Sequence, residues 1–179
     1  GSGRYVAVAT TADNLGVADT NAVNDVYLKD VLTGAVTRVS QSGSTEGNGA
    51  SSNGQVSRDG RFVAFDSTAT NLNFSDSDST SDVLLRDMNS GFSPTLVSVS
   101  SASVKGDAAS QVQAISDDGR YVLFSSLATN LVAGDANGVR NLFLRDTQQG
   151  TTVAVDTSAG GVLGNASVAE PVVHDYGNI

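Results

Sequence analysis

One feature constrains this chain more than any other: it repeats. Gly3 to Asp30 reads GRYVAVATTADNLGVADTNAVNDVYLKD, Gly60 to Asp87 reads GRFVAFDSTATNLNFSDSDSTSDVLLRD, and Gly119 to Asp146 reads GRYVLFSSLATNLVAGDANGVRNLFLRD. The marker Gly-Arg-aromatic-Val falls at Gly3, Gly60 and Gly119, and a degenerate copy, Gly-Asn-Ile, opens at Gly177. The spacings are 57, 59 and 58 residues. A fixed period in this range means one supersecondary unit used repeatedly, and no single copy can bury its own apolar face. The 179 residues therefore read as a single repeat domain, with repeats over 3–59, 60–118 and 119–176 and a fourth phase begun by 177–179.

Each repeat carries four short strand signals. Arg61 to Asp66 is the strongest, with copies at Arg4 to Ala9 and Arg120 to Ser125; it is rich in the aromatic and β-branched residues that suit a pleated surface. Asp82 to Asp87 follows, with copies Asp25 to Asp30 and Asn141 to Asp146. A Gly-containing turn (Thr33-Gly34, Ser90-Gly91, Gln149-Gly150) then leads to a third strand at Val36 to Ser40, Thr95 to Ser100 and Thr152 to Asp156. A long Gly/Ser/Asn loop precedes a fourth, Gln55-Val56-Ser57 or Ala114-Ile115-Ser116, which turns through the phase glycine into the next repeat. Apolar residues nowhere recur at helical spacing over several turns. The expectation is an all-β chain built from blades of four antiparallel strands, three repeats to the chain: a β-propeller pattern.

The stretch Ser-x-Asp-Gly-Arg-aromatic-Val-x-Phe, at Ser57 to Phe65 and Ser116 to Phe124, resembles the WD-like propeller repeat of the TolB and Tricorn type. The Ala-Thr-Asn-Leu, Asp-x-Asn and Phe-Leu-Arg-Asp segments that follow resemble a long bacterial variant of it, and the likeness runs through all three repeats. It implies a propeller fold, often with a binding role, and a bacterial extracytoplasmic setting, periplasmic or secreted. It implies no shared catalytic residue, since fold alone does not give function. Two departures stand out: such propellers usually have six or seven blades, and these repeats are about a dozen residues longer than a common WD blade. The extra length lies in two loops.

Composition removes several function classes. Net charge is −9, which opposes nucleic acid and an anionic membrane surface. There are no cysteines, so no disulfide framework is expected. No stretch reaches the length of an apolar membrane span, and the Gly1-Ser2-Gly3 start has neither the basic nor the apolar region of a signal peptide. Acidity does suit divalent cations where carboxylates cluster.

Connections in an antiparallel meander alternate ends. The tight Asp-Gly-Arg and Thr-Gly turns should share one face and the two long loops the other, which makes the long-loop face the functional candidate. The first long loop places oxygen-bearing side chains at one phase: Asp19, Asn21 and Asp25; Asp76, Asp78 and Asp82; Asp135, Asn137 and Asn141. Ca2+ takes about 6–8 oxygens, and positions 1, 3 and 7 of a curled loop can converge on one ion. An EF-hand would add an Asx, a Gly and a bidentate Glu that these loops do not consistently carry. Two readings stay open: a calcium site, or Asx turns that bond their own backbone. On the metal reading the middle repeat, with three carboxylates, ranks first, and the last, with one carboxylate and nearby Arg140, ranks lowest.

The remaining repeated polar residues read as structural. Asn14, Asn71 and Asn130 are expected to cap turns, as are Asn48, Asp107 and Asn165, unless the second long loop folds over the first and Asp107 completes a site. The Lys29-Asp30, Arg86-Asp87 and Arg145-Asp146 pairs are expected to bridge neighbouring strands or blades; adjacent strand residues point to opposite faces, so no pair is itself a salt bridge. The only histidine, His174, occupies the phase of Ser57 and Ser116, no Gly-x-Ser-x-Gly elbow exists, and Glu46 and Glu170 are not repeat-equivalent. The expectation is a non-catalytic binding or scaffold module, the alternative being the propeller of a larger hydrolase or peptidase with its chemistry elsewhere. Three blades do not close, since propellers have four to eight. The expected partner is a second copy, in a six-bladed homodimer completed through Glu170 to His174; the alternative is further blades from a longer parent.

Overall fold

A computed structural model describes residues 3–15, 19–91 and 93–168. The fourth phase at Gly177, with Glu170 and His174, lies outside the described residues. The described residues form four antiparallel sheets and no helix. β1 (Tyr5–Thr10), β2 (Asp25–Asp30) and β3 (Val36–Arg38) make a three-stranded first blade; β4 (Gln41–Ser42) and β5 (Thr45–Glu46) make a small hairpin. β6 (Ser51–Val56), β7 (Phe62–Ser67), β8 (Asp82–Asp87) and β9 (Thr95–Leu96) make the second blade. β10 (Ser110–Ile115), β11 (Tyr121–Ser126), β12 (Asn141–Asp146) and β13 (Thr151–Ala154) make the third.

The strand before each phase glycine pairs with the strand after it, so a blade borrows its first strand from the preceding repeat. That strand is longer than its apolar residues suggest. Ser51 and Ser52 pair with Ser67 and Asp66, and a bulge separates them from Gln55 and Val56. The strand after the glycine begins one residue later than its pattern, because the arginine is spent on the turn. The guanidiniums of Arg4, Arg61 and Arg120 grip Asp30, Asp87 and Asp146 at the far end of the neighbouring strand, at 2.7, 2.8 and 2.6 Å. The turn is held by its own side chains: Ser57 Oγ donates to Asp59 Oδ1, Arg61 N–H donates to the same oxygen, and Phe62 N–H donates to Ser57 Oγ. Ser116, Asp118, Arg120 and Tyr121 repeat it.

The core lies between blades. Strand residues alternate faces, so Val63, Phe65, Leu84 and Leu96 meet Val26, Leu28 and Val39 of the first blade. Ala64, Val83, Leu85 and Val97 meet Val122, Phe124 and Phe143 of the third. Two further devices fasten each seam. Gly60 (φ 75°) lies so close under the Tyr5 ring that a Cβ would fall 2.5 Å from Cγ, and Gly119 lies likewise under Phe62. Arg86 crosses from the second blade to donate through Nη1 to the carbonyls of Val39 and Gln41, and Arg145 Nη1 donates to Ser100 O at 3.1 Å. In each Arg-Asp pair of these blades, the aspartate thus bridges strands and the arginine bridges blades.

Candidate cation sites on the long-loop face

The two long loops of a repeat fold onto one another and onto the next repeat. Asn71 is the clamp: its Nδ2 donates to Glu46 O and its Oδ1 accepts Asn48 N–H, while Asn48 Oδ1 accepts Thr70 N–H. Asn130 and Asp107 repeat the exchange, and the Asp107 carboxylate accepts both Thr129 N–H and Oγ1–H. Asp107 therefore ties loops together, and its charge also reaches Asp135. Ala69 and Leu72, buried beneath the loop, anchor it to the core, as Ala128 and Leu131 do one repeat on.

The loops bring three side-chain sets together at equivalent places, the first two beside these clamps. The middle position forms a local turn in every copy: Asn21 Oδ1 accepts Val23 N–H, Asp78 Oδ1 accepts Thr80 N–H, and Asn137 Oδ1 accepts Val139 N–H. Asn21 and Asn137 also donate to Gly47 O and Gly164 O. The third position opens the second strand and turns inward, where Ser40 Oγ donates to Asp25, Ser98 Oγ donates to Asp82, and Asn141 donates to Asp156. Local bonding leaves oxygens over. Asp19 Oδ2, Asp25 Oδ2, both oxygens of Asp76, Asn141 Oδ1 and Asp156 Oδ1 are buried and accept no hydrogen bond, while Asp82 Oδ2 meets only the Lys105 ammonium.

The second long loop adds a residue that lies outside the 1, 3, 7 pattern of the first. Glu46, Lys105 and Leu163 each pair across a short turn before Gly47, Gly106 and Gly164, whose N–H groups donate to the main-chain carbonyls of Ser40, Ser98 and Asp156. In the first repeat, Glu46 joins Asp19 and Asp25, their ligand oxygens within 4.8 Å of one another. Arg38 stands alongside, 3.5 Å from Asp25 and 3.2 Å from Glu46. Asp76, Asp78 and Asp82 converge in the same way, but Lys105 Nζ lies among them, 3.8, 2.9 and 2.8 Å away. The third repeat has Leu163 there and gathers Asp135, Asn141 and Asp156. The signal in the sequence was the column before a recurring glycine, hidden because its three residues share no chemistry.

Each set carries the same formal charge. Three carboxylates against Arg38 and three against Lys105 each leave −2, as does the Asp135–Asp156 pair before the nearby Asp107 is counted. Burial pushes Asp25 and Asp76 up to about 6, and it raises Asp82 and Asp135. Lys105 holds exposed Asp78 down to about 2. Glu46 is lowered: burial opposes its charge, but hydrogen bonds from Thr20, its contact with Asp25 and the field of Arg38 outweigh that. The clusters therefore hold more negative charge than their own cations balance.

No protein-family model matches the chain, and no curated protein sequence matches it. Solved structures do match in fold. A TolB-type protein from Agrobacterium tumefaciens is 18% identical with a TM-score of 0.51, over 85% of this chain and 45% of that one. TolB from Acinetobacter baumannii is 16% identical with a TM-score of 0.51, over 89% of this chain and 31% of that one. The chain thus spans less than half the length of the structures it matches. Four-stranded blades joined through the phase-glycine hairpin, seams between them and these matches agree: the chain has the β-propeller fold of the TolB structures.

Proposed function

We propose that this chain is a non-catalytic propeller module, a binding or scaffold unit of a bacterial extracytoplasmic protein, whose long-loop face is braced by divalent cations of the calcium class. The observation that carries the cation reading is Asp25. It is fully buried, its Oδ2 accepts no hydrogen bond, and it converges with Asp19 and Glu46. The donors are all oxygen, which suits a hard cation, and calcium accommodates irregular oxygen sets that magnesium does not. The first repeat ranks above the middle one on this reading, because Lys105 Nζ lies 2.8 to 3.8 Å from all three middle carboxylates, whereas Arg38 lies 3.2 and 3.5 Å from Glu46 and Asp25.

A cation that binds only the native state stabilises it by about 2.7 kcal/mol at a hundredfold excess over Kd. Chelator should lower the melting temperature, calcium should restore it, and magnesium should restore it poorly. Asp25→Asn with Glu46→Gln should remove most of the calcium response. Melting curves identical in chelator and calcium would leave the loops as Asx turns alone. The enzymatic reading has one point in its favour, the close Asp25–Glu46 pair, whose acidities are pushed apart as in an acid–base couple. Asp25 is fully buried, out of reach of a substrate. Hydrolysis of peptide or ester substrates by this chain alone would overturn the non-catalytic reading.

A further inference from the structure

The first and third blades each leave one face without a neighbour among the described residues, and the repeat identifies what those faces are. Leu123, Leu142, Leu144 and Val155 on the third blade occupy the positions of Ala64, Val83, Leu85 and Val97, which are buried against the next blade. Here all four are half-buried or exposed. Val6 and Val8 on the first blade occupy the positions of Val63 and Phe65. The former pair is 42% and 41% exposed, and the latter pair 0%. The fastener is also split. Tyr121 stands where Tyr5 and Phe62 cover a glycine, and Gly3 (φ 68°) stands where Gly60 and Gly119 are covered, with nothing within 4 Å of the place a Cβ would take. Chain direction agrees, because Val168 N–H donates to Arg140 O as Ser51 does to Asn24 O and Ser110 to Ser81 O. The chain thus leaves the third blade at the step that begins a next blade.

We propose that these faces are the two halves of one seam and that a second copy of this chain closes it. The third blade of each copy packs on the first blade of the other, Tyr121 covers the partner's Gly3, and the two contacts complete a two-fold ring of six blades. Closure is what distinguishes this from a filament, since a head-to-tail contact that does not close propagates without end. Six blades lies within the range of four to eight that propellers use. A second copy fits because the chain builds this seam twice within itself, with the same residue columns.

Mass measurement in solution at micromolar concentration tests it. The expected result is a single species of twice the 18.2 kDa chain. Leu144→Asp and Val8→Asp, on opposite faces and at accessible positions, should each halve that mass while leaving the β-sheet circular dichroism intact. Val162→Asp, on an exposed loop outside the seam, should leave the mass unchanged. A monomeric chain would overturn the proposal and assign the faces to further blades of a longer protein. Open-ended oligomers would overturn the ring, and a dimer that survives both seam substitutions would place the contact elsewhere.

Discussion

Lys105 Nζ lies 2.8 Å from Asp82 Oδ2, in the place that Glu46 takes one repeat earlier. One loop architecture is thereby closed by an acid, by a base and, at Leu163, by an alkyl group. The charge of the closing residue changes while the excess carboxylate charge does not. Glu46 brings a third carboxylate to a set balanced by Arg38, Lys105 balances a set that already has three, and Leu163 adds no charge to Asp135 and Asp156.

Lys105→Leu, which copies the third repeat into the second, should therefore expose the middle set to the reading proposed for the first. Removing one partner of a buried ion pair strands the other, at a cost of roughly 3–5 kcal/mol. The partial exposure of Lys105 places the expected loss near the lower end, about 3 kcal/mol in chelator at neutral pH. Calcium should recover more of the melting temperature in this variant than in the parent chain. Equal calcium responses in the two would sink the idea that the ammonium stands in for a metal.

Much of this was legible in the sequence, and the boundaries show where legibility ended. The second strand of each repeat was read to the residue, because Asp25, Asp82 and Asn141 open it and Asp30, Asp87 and Asp146 close it. The third was read too long: Val97 and Val99 continue its alternation, but they lie beyond β9 and their N–H groups bond to Val83 O and Val97 O. The strand before the phase glycine was read too short, because a bulge breaks the alternation on which period-two reading depends. Carboxylates at positions 1, 3 and 7 were visible as a pattern. Their partner from the second loop was not, because it is set by a fold between loops about 25 residues apart.

Asp66 predicts an unusual pH dependence. Its Oδ1 accepts Val112 N–H across the seam at 2.6 Å and its Oδ2 accepts Asn53 Nδ2–H at 2.5 Å, yet burial pushes it up to about 6. A carboxylic acid whose folded pKa lies above its unfolded value contributes stability that is complete below about pH 3.8 and is lost as pH rises through about 6. The loss is on the order of 2–3 kcal/mol by neutral pH. Asp66→Asn keeps an acceptor for Val112 and carries no charge, so between pH 4 and 7 it should lose less stability than the parent by the Asp66 share, with the decline from Asp25 and Asp76 remaining. Denaturant titrations of both chains across that range check it, and parallel profiles would show that Asp66 does not titrate there.

The seam glycines make the last prediction, and it rests on a comparison between positions with the same backbone and different surroundings. Gly34 and Gly119 both have positive φ, 80° and 70°, so any other residue is strained at either. An alanine at Gly34 meets nothing within 4 Å, and the expected cost is the conformational one, about 1 kcal/mol. An alanine at Gly119 meets the Phe62 ring, whose Cγ, Cδ1 and Cδ2 all lie too close for a Cβ. The ring has little room to yield, because Arg61 stacks over it at 4.6 Å and its main chain is held in β7. Overpacking adds roughly 1–3 kcal/mol to the backbone strain. Gly119→Ala should therefore lower the unfolding midpoint well beyond Gly34→Ala, and it should do so by opening the seam between the second and third blades. Hydrogen exchange locates the effect: protection should fall first at the Val112 amide, which bonds across that seam, while amides of the first blade keep theirs. Equal destabilisation by the two substitutions would mean that the ring yields freely, and that the seam does not depend on the close approach of Phe62 to Gly119.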